Sequence, residues 1–209
     1  MTPEIALESG LARLQIALPE GASAKLLRYI GLLAKWNKAY NLTAIREPEA
    51  MVKQHLLDSL AVAPHLPLAA DGRLADVGSG AGLPGIPLAI ARPDLLVTLN
   101  DSSAKKAAFL RQATIELSIP NAEVHEGRVE DWRPSSAFDA VISRAFAELR
   151  AFVLACRHLA RPGGLLVAMK GSRTSEEVSA AADVCPQARV IRLSVPFLDA
   201  ERTLVVCHA

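Results

Sequence analysis

The sequence predicts an α/β domain: a seven-stranded, mostly parallel sheet covered by helices on both faces, with an antiparallel last strand and an N-terminal helical extension. Three observations predict it. From residue 74 to residue 170, short apolar runs alternate with longer helical segments, which is the pattern of βαβ units. A glycine-rich turn, DVGSGAGLPG at 76–85, sits where the first of these runs ends. The last two strand-like runs are separated by about nine residues, too few for a crossover helix, so they pair antiparallel.

Taken in order, residues 1–68 read as a helical extension and residues 69–209 as the sheet unit, together one compact body. Thr2-Pro3 reads as an N-cap followed by proline at the first helical position. Leu26, Leu27, Ile30, Leu33 and Ala34 follow helical spacing. A third helix starts near Pro48 and carries Met51, Val52, His55, Leu56 and Ser59; Pro64 and Pro67 end it, and Asp71-Gly72 turns the chain. Strands are predicted at 74–77, 96–100, 123–125, 138–143 and 165–170, with helices at 84–91, 104–117 and 148–159 between them. Arg161-Pro162-Gly163-Gly164 reads as a tight turn into the fifth strand. A helix at 176–184 precedes the closing strands at 189–193 and 203–207.

Composition sets the outer limits. With 51% hydrophobic residues in 209, the chain has enough apolar surface for a packed core. A net charge of +1 neither demands nor excludes a nucleic-acid partner. Cys156, Cys185 and Cys207 are odd in number and lack CxxC spacing, which argues against a disulfide framework or a structural metal and fits a reducing, cytoplasmic setting. No signal peptide is expected from the MTPE start, and no apolar run reaches the roughly 20 residues of a membrane span.

The glycine-rich turn carries the functional argument. Glycines at the end of a first parallel strand let the backbone turn sharply and approach a ligand closely, and the following helix directs free N–H groups at it. Asp101 lies 23 residues beyond Gly78 (101 − 78), at the end of the second strand, where an acid commonly binds a ribose diol. Gly80, Gly82 and Gly85 formally spell GxGxxG, but that register starts two residues late and contains Pro84, with Pro87 close behind. A dinucleotide pyrophosphate needs a smoother helix entry. S-adenosylmethionine has no pyrophosphate, and the acid Asp76 suits its positive charge. A second cofactor contact is expected after the third strand, in GRVED at 127–131, with Glu130 as a surface acid at a helix start the plainer alternative.

At the end of the fourth strand, Ser143 and Arg144 face the chemistry. There is no Asn/Asp-Pro-Pro-aromatic motif of the kind used on exocyclic amines, and Cys156 lies among apolar residues, where a buried structural thiol is the better reading. No catalytic residue and no metal ligand set emerges. An acceptor with a free lone pair, such as guanine N7, needs neither a base nor a nucleophile, only placement.

The segments KWNKAYNLT (35–43), HLLDS (55–59), DVGSGAGLPGIP (76–87), ISRAF (142–146), MKG (169–171) and PFLDAER (196–202) resemble the RsmG (GidB) family of 16S ribosomal RNA guanine(527)-N7 methyltransferases, in the family's order over about residues 35–206. The resemblance implies the Rossmann-like class I fold of S-adenosylmethionine-dependent methyltransferases. It also implies cofactor contacts at Gly78, Leu83, Val129, Glu130 and Arg144, and at Asp101, Ser102 and Ser103 for the ribose. Asn100 stands where an apolar residue is usual. The implied partner is 16S rRNA or the small ribosomal subunit, approached by a monomer.

On the substrate side, Asn41, His55, Lys170 and Arg202 are the candidates for RNA contact, with Phe146 or Phe197 beside the target base. Each has a plainer alternative: Asn41 and Thr43 as caps, His55 pairing with Asp58, Arg202 pairing with Asp199, and Lys170 as a solvated strand-end charge. Residues 25–65 hold six Lys/Arg against three acids, a surplus that a solvated helix face also explains. Two other function classes stay compatible with the turn: an NAD-dependent oxidoreductase, and a non-catalytic RNA- or ribosome-binding module.

Overall fold

The computed structural model describes residues 1–144, 146, 148–172 and 174–209; Ala145, in the segment 142–146, lies outside the described residues. The chain begins with helices α1 (Pro3–Leu14), α2 (Ala22–Tyr40), α3 (Pro48–Met51), a π-helical stretch (Val52–Leu57) and α4 (Asp58–Leu60). Seven strands follow: β1 (Arg73–Val77), β2 (Leu96–Asp101), β3 (Ala122–Glu126), β4 (Phe138–Ser143), β5 (Ala160–Lys170), β6 (Arg189–Leu193) and β7 (Arg202–His208). Helices α5 (Gly85–Ala91), α6 (Ala104–Glu116), α7 (Leu149–Cys156) and α8 (Thr174–Ala180) connect them. The start is as expected: Thr2 caps α1 and accepts from the Ile5 N–H.

The strand order is β3-β2-β1-β4-β5-β7-β6. Strands β1 to β5 run parallel, and β7 enters antiparallel between β5 and the edge strand β6. The central strands are apolar on both faces because helices cover both sides, which leaves no solvated face to carry an alternating pattern. The order reverses between β1 and β4, and the carboxyl ends there flank the one crevice in which such sheets bind ligands.

Two expectations need correction. Residues 161–164 do not form a turn ahead of β5. The strand already starts at Ala160, paired with Phe138, and the register jumps so that Leu165 faces Ala140. The Pro-Gly-Gly run is a bulge inside the strand, with Gly163 at φ +72°. Second, Cys185 and Cys207 form a disulfide, with their Cα atoms 5.7 Å apart. The sequence hid the pair because 22 residues separate the two cysteines and only the return of β7 beneath the segment after α8 joins them. Cys156 is the free, buried thiol that was expected.

The helical extension packs directly on the sheet unit, since residues from Ala6 to Val206 share one apolar cluster. Two of its cations serve that packing. Lys25 Nζ donates to the Ser118 carbonyl and Arg28 to the Glu116 carbonyl, each at 2.9 Å, at the C-terminal end of α6 where positive charge is favoured. Part of the basic surplus of residues 25–65 is therefore structural.

A reductant should lower the unfolding free energy by about 3 kcal/mol, the cost of releasing a loop of this length. Urea unfolding with and without dithiothreitol measures it, and a Cys185→Ser/Cys207→Ser variant should lose the dependence.

Candidate active site

Two cavities open beyond the carboxyl ends of the strands. The first, about 370 Å³, is lined by Val77, Gly78, Ser102, Arg128, Val129, Glu130 and Phe146. The second, about 300 Å³, is lined by Ile45, Gln54, His55, Asp58, Arg144, Met169, Lys170, Gly171 and Arg202. The segment leaving β4 contributes to both, through Phe146 on one side and Arg144 on the other. Ser143 at its root donates from Oγ to the Val77 carbonyl at 2.7 Å, which ties β4 to β1 at the switch point.

The glycine-rich turn is held from within. Gly78, Gly80 and Gly82 have φ of +70°, +60° and +87°, a region that side chains with a Cβ avoid. A Cβ on Gly85 would come within 2.7 Å of Asp76 Oδ2. That oxygen accepts the Gly85 N–H at 2.8 Å, and Asp101 accepts the N–H of Gly80 at 3.0 Å and of Ser103 at 2.9 Å. Asp76 is fully buried, so it braces the turn from beneath and does not face a ligand. Burial pushes its carboxyl up to about 7, against the pull of the Gly85 N–H. Its other oxygen, Oδ1, has no partner among the described residues.

Of the expected cofactor contacts, Gly78, Ser102, Val129 and Glu130 come together in the first cavity. Leu83 is buried in the core, Asp101 is turned into the turn, and Ser103 gives its N–H to Asp101. Arg144 faces the second cavity. Its guanidinium pairs with Asp58 Oδ2 at 3.3 Å, while Arg202 Nε holds Asp58 Oδ1 at 3.1 Å. The suggested pairings His55–Asp58 and Arg202–Asp199 are replaced by this bridge among the described residues. A π-helical stretch ending at Leu57 aims His55 and Asp58 at different partners.

His55 Nε2 meets Thr43 Oγ1 at 2.8 Å, and its Nδ1 lies 3.1 Å from the Gln54 carbonyl. The Gln54 carbonyl can only accept, so Nδ1 carries the proton; in the neutral ring Nε2 is then bare and accepts from the Thr43 hydroxyl, which itself accepts the Ile45 N–H. Burial first, then the Arg144 charge, lower the His55 pKa to about 4, in keeping with that state. Lys170 is not a solvated strand end: it is 7% exposed, 2.6 Å from Glu177 and 2.9 Å from the Phe146 carbonyl. Asn41 takes the cap role, at φ +51° behind α2 and outside both cavities. Phe197 lies under Arg13, 4.5 Å away, and Lys53.

Sequence reasoning missed Asp58 as the bridge, Arg128 in the first cavity and Glu177 under Lys170. Partners from elements up to 144 residues apart left no local signal. The run HLLDS did place Asp58 on one helix face with His55, which marks the acid but not its partners.

The family model described as "rRNA small subunit methyltransferase G" (GidB) matches residues 22–205. The chain is 55% identical over 203 residues to the ribosomal RNA small subunit methyltransferase G of Methylobacillus flagellatus, covering 97% of each chain. It is 52% identical to the protein of that name from Chromobacterium violaceum, covering 95% of this chain and 94% of that one. Among solved structures, the O-methyltransferase TomG of Streptomyces achromogenes aligns with TM-score 0.61 at 16% identity, over 100% of this chain and 99% of that one. An O-methyltransferase of Bacillus cereus aligns with TM-score 0.61 at 15% identity, over the whole of both. At such identities these two structures establish the class I methyltransferase fold.

Asp76 generates a pH dependence. Its folded-state pKa lies above the ordinary 3.8, so the folded chain binds more protons than the unfolded one between those values. Its contribution to stability should therefore fall as pH rises from about 4 to about 7. Urea unfolding of the ligand-free protein across that range should show a shallower decline for Asp76→Asn; parallel slopes would contradict the assignment.

Proposed function

Because the chain belongs to the rRNA small subunit methyltransferase G family, we propose that it methylates N7 of a guanine in 16S rRNA, position 527 by the family resemblance, as a monomer acting in the cytoplasm. On this reading residues 69–209 form the methyltransferase unit, and residues 1–68 add the lip that carries His55 and Asp58. S-adenosylmethionine is the cofactor. Gly78, Ser102, Val129 and Glu130 would hold it, since Gly78, the first of three alternate glycines at positive φ, brings bare backbone to the edge of a cavity of nucleoside size.

One observation carries the choice of acceptor: the ionisable groups lining the second cavity are already engaged. His55 is neutral with Nε2 occupied, Asp58 is bound to two arginines, and Lys170 is bound to Glu177. None is poised to take a proton. The cofactor supplies an electrophilic methyl group on a sulfonium sulfur, and a nitrogen that already has a lone pair accepts it without losing a proton. The protein's contribution is then placement. Phe146, which lines the first cavity and whose carbonyl accepts from Lys170 of the second, would offer a flat apolar wall to the base. Arg144 and Arg202 share one carboxylate, which leaves net positive charge facing the RNA strand. Arg144 thus stands with the acceptor, and the roles of Leu83, Asp101 and Ser103 are to shape the turn.

Incubation of unmethylated 16S rRNA or small subunits with labelled S-adenosylmethionine should place label on a guanine that becomes cleavable by borohydride and aniline. Label on another base or atom would refute the N7 assignment, and no label on any substrate would favour a non-catalytic module. Calorimetry should show binding of S-adenosylhomocysteine and none of NADH; the reverse would indicate an oxidoreductase. Arg202→Gln should leave S-adenosylhomocysteine affinity unchanged while lowering the slope of log affinity for RNA against log salt by about 0.7.

A further inference from the structure

Helix α2 touches both ends of the site. Near its middle, Tyr29 is fully buried, and its hydroxyl donates to the Ala81 carbonyl at 2.5 Å, inside the glycine-rich turn. Eight residues on, about 12 Å along the same helix, Asn37 is also buried. Its carboxamide accepts the Thr43 N–H at 2.9 Å and donates to the Ile45 carbonyl at 3.4 Å. Thr43 in turn holds His55, and Ile45 and His55 line the acceptor cavity. A single rigid element of 19 residues thus joins the acceptor lip to the cofactor turn.

The hydroxyl sits where the turn most needs a restraint. The Ala81 carbonyl belongs to the peptide that leads into Gly82, whose φ is +87° and which has no Cβ to limit that peptide's rotation. The same turn is closed by the Gly82 N–H bonding to the Ser79 carbonyl at 2.8 Å. Removing the Tyr29 hydroxyl would leave the Ala81 carbonyl without this donor while the ring still filled its place in the core.

We propose that Tyr29 is a positioning residue that couples RNA docking to cofactor binding, through the helix that links the 41–47 segment to the glycine-rich turn. It rests on the reading of the two cavities given above. RNA docked on the lip bears on α2 through Thr43 and Asn37, and α2 holds the Ala81 peptide in the orientation that shapes the cofactor cavity. The coupling is reciprocal, so bound cofactor must favour RNA by the same factor.

The experiment measures S-adenosylhomocysteine affinity by calorimetry, with and without an unmethylated 16S rRNA transcript, for the wild type, Tyr29→Phe and Asn37→Leu. In the wild type, RNA should raise the affinity by about tenfold. In Tyr29→Phe, affinity without RNA should weaken several-fold and the enhancement should fall below about threefold. Asn37→Leu cuts the other end of the link, so affinity without RNA should stay within about twofold of wild type while the enhancement is lost. A purely structural Tyr29 would lower the melting temperature and leave the enhancement intact, which overturns the proposal, as does a wild type that binds both ligands with no enhancement. A wild type that binds neither ligand overturns the assignment of the cavities, and this inference with it.

Discussion

The structure depends on how a short backbone turn is held open at the end of β1. The turn must expose bare peptide to a ligand, so few of its own side chains brace it. Asp76 does so from its buried start, and the rest comes from Asp101 on the neighbouring strand and Tyr29 in the helical extension. Each contributes one hydrogen bond to a backbone group that would otherwise be buried unpaired, where the cost of leaving it so exceeds the gain of an ordinary bond. Asp76 meets this need at the expense of its own solvation, and its raised pKa records that expense.

The acceptor side follows a different logic. Asp58 is 1% exposed, yet it carries a charge shared with two arginines that are each 29% exposed at the side chain. A charge this deeply buried is tolerable only when paired. Its pairing with two cations fixes both guanidinium groups at the cavity wall and leaves the wall positive. The neutral His55 beside it adds shape and a fixed hydrogen-bond direction without adding charge.

Much of the fold was legible because it is written in short-range periodicity. Alternating apolar runs and helices, the Thr2-Pro3 start and the close spacing of the last two strands all rest on neighbours within one or two turns. The bulge at 161–164 was misread because Pro-Gly-Gly marks irregular backbone without saying whether the strand resumes in the same ladder. Among the candidate cofactor contacts, the turn at Gly78 and the loop after β3 were readable from their positions at strand ends, while Ser102 and Val129 came from the family resemblance; all of them line one cavity. Arg144 and Arg202 were named as site candidates, but their common partner was not, because Asp58 reaches them only once helix α4 has docked against the sheet. The disulfide was hidden for the same reason.

The π-helical stretch at Val52–Leu57 accommodates one residue more than an α-helix would over the same span. Each residue in an α-helix turns the chain by about 100°. Loss of a single residue within that stretch would restore a regular helix over the same span and leave Met51 and Asp58 in phase at its two ends. The side chains between them would shift by about that angle, and His55 would turn away from Thr43. The surplus residue therefore sets where His55 stands and leaves the course of the helix unaltered: a deletion there should spare the fold and misshape the acceptor lip.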